Sequence, residues 1–196
     1  MSSSKIVSDC IEKKIIPIEG KVDGDMFHFI REIMGGLLLK DCPDILVTFT
    51  STGGSVSAGL DIYDLINNYP GKSTGIVFAM ANSIAAVILQ ACDERICAKH
   101  AEILIHYISQ NSISLDVMSK PNGKAYQNML KGGRRDQAYI NQILTERTGQ
   151  ALKVIRGESA KDLAMTSEEA LIFGLIDRIA EKKDLAKWFS SGRGIK

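Results

Sequence analysis

Apolar β-branched runs alternate along the chain with longer stretches in which apolar side chains return every three or four positions. Ile15 to Ile18 and Ile45 to Thr50 are uncharged runs of the first kind and predict buried strands. Between them Met26, Phe27, Ile30, Ile33, Met34, Leu37 and Leu38 recur at helical spacing, which completes one strand–helix–strand unit. A second passage runs from the strand through the Gly53-Gly54 break into Val56, Leu60, Ile62, Tyr63, Leu65 and Ile66. It stops at Tyr69-Pro70-Gly71. A third leads from Gly75-Ile76-Val77-Phe78 into a helical stretch from Ser83 to Ala91, and two short strands, Arg95 to Ala98 and Glu102 to Ile105, follow. Strands joined by crossover helices of this length predict an α/β fold with a mainly parallel sheet covered on both faces.

The pattern then changes. Ser109 to Pro121 is polar, and from about Asn122 to Thr148 a polar-rich helical pattern carries Gly132-Gly133 in its middle. Each glycine costs about 1 kcal/mol relative to alanine inside a helix, so a projecting, bendable arm is expected. Beyond Thr148-Gly149 the sequence reads as a short helix, a loop from Ser159 to Thr166, a helix opened by Ser167-Glu168-Glu169-Ala170 and stopped at Gly174, a strand from Leu175 to Ile179, and a polar tail.

Composition narrows the function classes. With 196 residues the chain is long enough for one well-filled core, and 24 Lys+Arg against 23 Asp+Glu leave a formal charge of +1. No global field draws it to nucleic acid or an anionic membrane. Cys10, Cys42, Cys92 and Cys97 lack the CxxC pairs of a zinc site and the density of a disulfide scaffold, so reduced thiols and no metal are expected. Met1 to Cys10 has no apolar segment behind a basic start, and Ser73 to Cys92 is interrupted by Asn82, Ser83 and Gln90. The reading is a soluble, cytoplasmic chain without a membrane span.

Candidate chemistry is sparse. Of the three histidines, His28 falls on the first amphipathic helix beside Phe27 and Phe29, and His100 follows Lys99 in a turn. His106 closes a strand, at the sheet edge where ligands and reactive groups collect in open α/β folds. Ser83 lies at a strand-to-helix turn and admits two readings: an N-cap for the helix, or a nucleophile beside free backbone N–H groups. Ala81-Asn82-Ser83-Ile84-Ala85 is not GxSxG. Thr52-Gly53-Gly54-Ser55 lacks the lysine of a Walker loop and the GxGxxG spacing. Its glycines equally suit a close backbone approach to a substrate.

Several motifs in one order bring these candidates together. Ser51-Thr52-Gly53-Gly54-Ser55-Val56-Ser57-Ala58-Gly59-Leu60 with Ile62-Tyr63-Asp64 closely resembles the SPGGSVTAG…IYD segment of the Clp protease proteolytic subunit family, ClpP. Lys14 to Val22 is similar to that family's first strand and turn, Leu104-Ile105-His106 to its MIH, and Thr148-Gly149-Gln150 to its TGQ. Asp162 to Thr166, Ser167-Glu168-Glu169-Ala170 and Gly174-Leu175-Ile176-Asp177 resemble its D…(L/M)S…EA…YGL(I/V)D. The likeness covers about residues 14–180.

The resemblance implies a crotonase-like, ClpP-like spiral core of repeated ββα (βαβ) units with a projecting helical handle over about 109–148. A short flexible segment over 1–13 would precede the 14–180 peptidase domain, and a polar tail over 181–196 would follow it. It implies a serine endopeptidase acting on peptides or unfolded proteins inside a ring-shaped homo-oligomeric chamber, of stacked rings whose handles interdigitate, without cofactor or metal. Ser83 would be the nucleophile, His106 the general base and Asp162 the carboxylate that orients it. Backbone N–H groups of Gly53 and Ile84 would form the oxyanion hole, with Gly54 and Ser55 contacting substrate. A Clp-type ATPase partner is a further implication, against which stands the short N-terminus. A processing peptidase without an ATPase and a non-catalytic subunit are the alternatives on the same scaffold. The chain departs from the family at Thr52 (usually Pro), Asn82 (Ala), Tyr107-Ile108 (Gln-Pro) and Lys161 (Arg).

Overall fold

A computed structural model of the protein describes residues 3–109, 119–120 and 123–184. Most of the expected segment 109–121, and all of the tail beyond 184, lie outside the described residues. In chain order the elements are α1 (Ser3–Lys13), β1 (Ile15–Val22), α2 (Gly24–Leu38), β2 (Ile45–Gly54), α3 (Val56–Asn67), β3 (Ser73–Asn82), α4 (Ile84–Leu89), β4 (Glu94–Cys97) and β5 (Glu102–Leu104). They continue as α5 (Lys124–Thr148), α6 (Leu152–Ser159), β6 (Met165–Thr166), α7 (Ser167–Phe173) and β7 (Arg178–Ile179).

Among the described residues the strands form a seven-stranded sheet in the order β1-β2-β3-β4-β7, with β5 beside β3 and β6 beside β5. Every pairing is parallel except β5 with β6. The register aligns Val22 with Gly54 and Asn82 with Leu104. The carboxyl ends of β2, β3 and β5 therefore converge on one edge, and the segments that leave them, starting at Ser55, Ser83 and Ile105, begin side by side.

Burial explains why these elements hold. Ile16 and Ile18 of β1 and Val47 and Phe49 of β2 are completely buried, as are Ile30, Ile33 and Leu37 of α2, Ile62 of α3 and Ile88 and Leu89 of α4. Each such side chain gains about 1.5–3 kcal/mol over the exposed state. Caps fix the helix ends: the Asp23 carboxylate accepts the Met26 N–H at 3.1 Å, and Thr166 and Glu169 form a reciprocal capping box that opens α7. α4 is buried on every side, which ties the Ser83 turn at its start to the centre of the molecule.

The structure differs from the sequence expectations in four places. Residues expected as a flexible lead form α1, because Val7, Cys10 and Ile11 make a stripe at helical spacing that packs against the core. The strand expected from Leu175 shrinks to Arg178–Ile179. Leu175 N–H closes the end of α7 on Ala170 O, while the Leu175 and Ile176 side chains fill the core. α5 runs without interruption across Gly132-Gly133. The sheet is covered unevenly: Leu46, Thr74, Phe78, Met80 and Leu104 are only half-buried.

Candidate active site

Ser83 sits on a sharp turn between β3 and α4 with φ 58° and ψ −126°, a conformation that L-residues adopt only when the surroundings impose it. Two contacts impose it here. The Ser83 N–H donates to Leu104 O at 2.8 Å, pinning the turn to β5, and Gly53 packs its backbone directly beneath. A Cβ built on Gly53 would stand 2.6 Å from Asn82 O and 2.7 Å from Ser83 Cβ, and Gly53 itself has φ 86°, so the position admits only glycine.

The serine side chain makes no capping hydrogen bond to α4. Its Oγ instead lies 2.7 Å from His106 Nε2. His106 follows β5 by two residues, and its imidazole is 22% exposed. On the far side of the ring, Nδ1 stands 3.5 Å from Asp162 Oδ1, longer than an ordinary N–H···O bond. Asp162 is on the loop after α6, with φ 51° and a side chain 73% exposed, so its carboxylate rests at the rim of the site. Asp177, the other acid in the C-terminal motif, is committed elsewhere. It accepts the Arg95 backbone N–H at 2.7 Å and the Arg95 guanidinium at 2.6 and 3.1 Å. Burial pushes its carboxyl up, but these bonds and the Arg95 charge outweigh that and hold it below the usual range.

The backbone donors are distributed differently from expectation. The Gly53 N–H donates to Ser51 Oγ at 3.1 Å, so it is engaged inside the loop and unavailable to an oxyanion. Ser51 is buried and passes its own hydrogen to Gly20 O at 2.6 Å, locking β2 to the register shift in β1 between Glu19 and Lys21. Gly54 lines the cavity beside Ser83, with Ile84 at the start of α4. As the first residue of α4, Ile84 has no carbonyl within the helix to receive its N–H. Ser55 caps α3, its Oγ accepting the Ala58 N–H at 3.3 Å, which leaves it an occupied acceptor. The cavity, about 40 Å³, is walled by Val56, Val87, Ile108, Ile140 and Leu144.

Sequence reasoning passed over Ser51, whose only signal was its place at the head of the glycine motif. Asn82 puts its amide on Glu102 Oε1 at 3.2 Å. The other two histidines, His28 and His100, are exposed and do not line the cavity beside Ser83. Cys92 and Cys97 are buried free thiols, both pushed up to about 12 by burial first and by the neighbouring Asp93 and Glu168 second. Among the described residues no group of three or more His, Cys, Asp or Glu could hold a metal ion, and no helix is long and apolar enough to cross a membrane.

Comparison with known proteins places the whole chain in one family. The family model described as Clp protease matches residues 1–183. The chain belongs to the Clp protease family. It is 34% identical over 188 residues to an ATP-dependent Clp protease proteolytic subunit of Ligilactobacillus salivarius (strain UCC118), a match spanning 93% of this chain and 90% of that protein. The mixed α/β architecture around a central sheet is the one this Clp family carries.

Proposed function

We propose that the chain is a serine endopeptidase in which Ser83 attacks the scissile carbonyl. The observation that carries this reading is the 2.7 Å contact between Ser83 Oγ and His106 Nε2, made by a serine held at positive φ and free of any capping bond. His106 Nε2 takes the Oγ proton as the C–O bond forms, and then gives it to the amine as the C–N bond breaks. The resulting acyl-serine is hydrolysed by water through the same base. Asp162, facing Nδ1, orients the ring and favours the imidazolium. The developing oxyanion is received by the N–H groups of Ile84 and Gly54. Gly54 replaces Gly53 because Gly53 already donates to Ser51. Losing one such donor typically slows turnover by about 10²–10³.

The substrates of this reading are peptides and unfolded chains, hydrolysed in the cytoplasm inside a homo-oligomer of two stacked rings that meet through their α5 arms. Likeness to a subunit named ATP-dependent supports an ATPase partner that supplies unfolded chains. The deciding experiment is reaction with a fluorophosphonate probe. The native protein labels on Ser83, and Ser83→Ala abolishes both labelling and hydrolysis of a fluorogenic peptide while leaving the oligomeric mass unchanged. Undiminished peptide hydrolysis by Ser83→Ala would place the nucleophile elsewhere.

A further inference from the structure

His106 lies beyond the end of β5, where the ladder no longer fixes the backbone, so its aim at Ser83 must come from other contacts. One crosses from α5. Ile108, two residues after His106, donates its N–H to Gln137 Oε1 at 2.8 Å. Gln137 is itself held, since its Nε2 donates to Asn141 Oδ1 at 3.0 Å, one helical turn on. Asn141 is 5% exposed and lies in the buried section of α5 with Ile140, Ile143 and Leu144. Ile140 and Leu144 wall the cavity beside Ser83, so the relay begins in the packed wall of the site and ends on the strand of backbone that carries the base. A second tie, Tyr107 Oη donating to Arg156 O at 3.1 Å, steadies the same backbone from α6.

We infer that Gln137 is a positioning residue for His106, acting through the Ile108 N–H and braced by Asn141. The inference rests on the peptidase reading above. Its physical basis is that a general base must stay within hydrogen-bond reach of the proton it takes, and displacement by about 1 Å can cost up to about 10² in rate. The acceptor oxygen at position 137 is the working atom. The role therefore separates from packing. Gln137→Met keeps length and apolar bulk but removes both hydrogen bonds. Gln137→Glu keeps the acceptor for Ile108, and Asn141 can turn over to donate its amide to the new carboxylate.

The test uses the full-length oligomer and reads three quantities: the rate constant for fluorophosphonate labelling of Ser83, kcat and KM on a fluorogenic peptide, and mass by light scattering. Gln137→Met should lower the labelling rate and kcat together by about tenfold, with KM within about twofold of the parent and mass unchanged. Gln137→Glu should restore both rates to within about twofold of the parent. Parent-like rates in Gln137→Met overturn the inference. So does a Glu variant as slow as the Met variant, or a loss accompanied by altered mass or helix content, since each assigns the residue to packing or assembly. A parent protein that fails to label overturns the peptidase reading and this role together, whereas a labelled parent with indifferent variants overturns this role alone.

Discussion

Gly53 and Ser83 share one tight corner, in which the glycine takes a positive φ freely and the serine takes one under constraint. Gly53 at φ 86° lets the β2 backbone run under the serine turn, and Ser83 at φ 58° lifts its Oγ to His106. Gly53→Ala would drive a Cβ against Asn82 O and Ser83 Cβ, both backbone-fixed, and would add the cost of a side chain at positive φ. The expected outcome is destabilisation of about 1–3 kcal/mol with a larger proportional loss of Ser83 labelling, measured by denaturant unfolding and probe kinetics on one preparation. Unchanged labelling would show that the corner tolerates relaxation. Asp162→Asn tests the opposite side of the imidazole. A buried triad aspartate is worth about 10⁴ in rate, but Asp162 is 73% exposed and 3.5 Å away, so a smaller drop of at least about tenfold in kcat is expected. Full activity in an intact oligomer would exclude it as the third member.

At the scale of elements, a buried cation ties the C-terminal half together. Arg95, 5% exposed on β4, binds Asp177, Gln90 Oε1, Gly174 O and Arg147 O, thereby joining β4 to the ends of α4, α5 and α7. The Asp177 carboxyl is held below its ordinary range in the folded protein, so its contribution is complete above the unfolded value of about 4 and is lost as pH falls through the lower folded value. Asp177→Asn should lower stability at pH 7 by about 1–3 kcal/mol and flatten the fall in stability below about pH 4, read from denaturant midpoints between pH 2 and 7. A variant with the parent's slope would assign acid sensitivity to other carboxylates. How much the sequence made legible differs from element to element. Strands β1 to β3 and helices α2 and α3 stand out from periodicity because buried parallel strands and amphipathic crossovers write their environment into the residue pattern. The pairing of Ser83 with His106 was not readable from local pattern, which equally allowed a helix cap, and it surfaced only through motif order. Neither the Ser51 lock on Gly53 nor the Gln137 relay leaves a periodic trace, since each depends on one atom meeting another far along the chain. α1 was hidden by the serines at its start, although its stripe of Val7, Cys10 and Ile11 was present.

The whole molecule presents a helix longer than its own core requires. α5 spans Lys124–Thr148, about 37 Å at 1.5 Å per residue, yet its buried residues are confined to Ile140, Asn141, Ile143 and Leu144. No residue from 124 to 139 is buried, and Gly132 has no neighbour within 4 Å of a Cβ built on it. Such a length of helix, with nothing better covered than a half-buried stripe that includes Tyr126, Met129, Leu130 and Gln137, gains little stability from the chain that carries it. In the proposed assembly its partner is the corresponding arm of a facing ring, and the half-buried Leu46, Phe78, Met80 and Leu104 on the sheet mark a second surface for neighbours within the ring. Deleting Gly123 to Gly133 separates these roles, because it shortens the exposed arm while keeping Gln137, Asn141 and the buried section in place. The variant should melt within a few degrees of the parent but appear by light scattering as single rings or smaller species. Its turnover of peptide should be reduced alongside the loss of mass. Retention of the parent mass would remove α5 from the contact between rings and leave its exposed half to serve another partner.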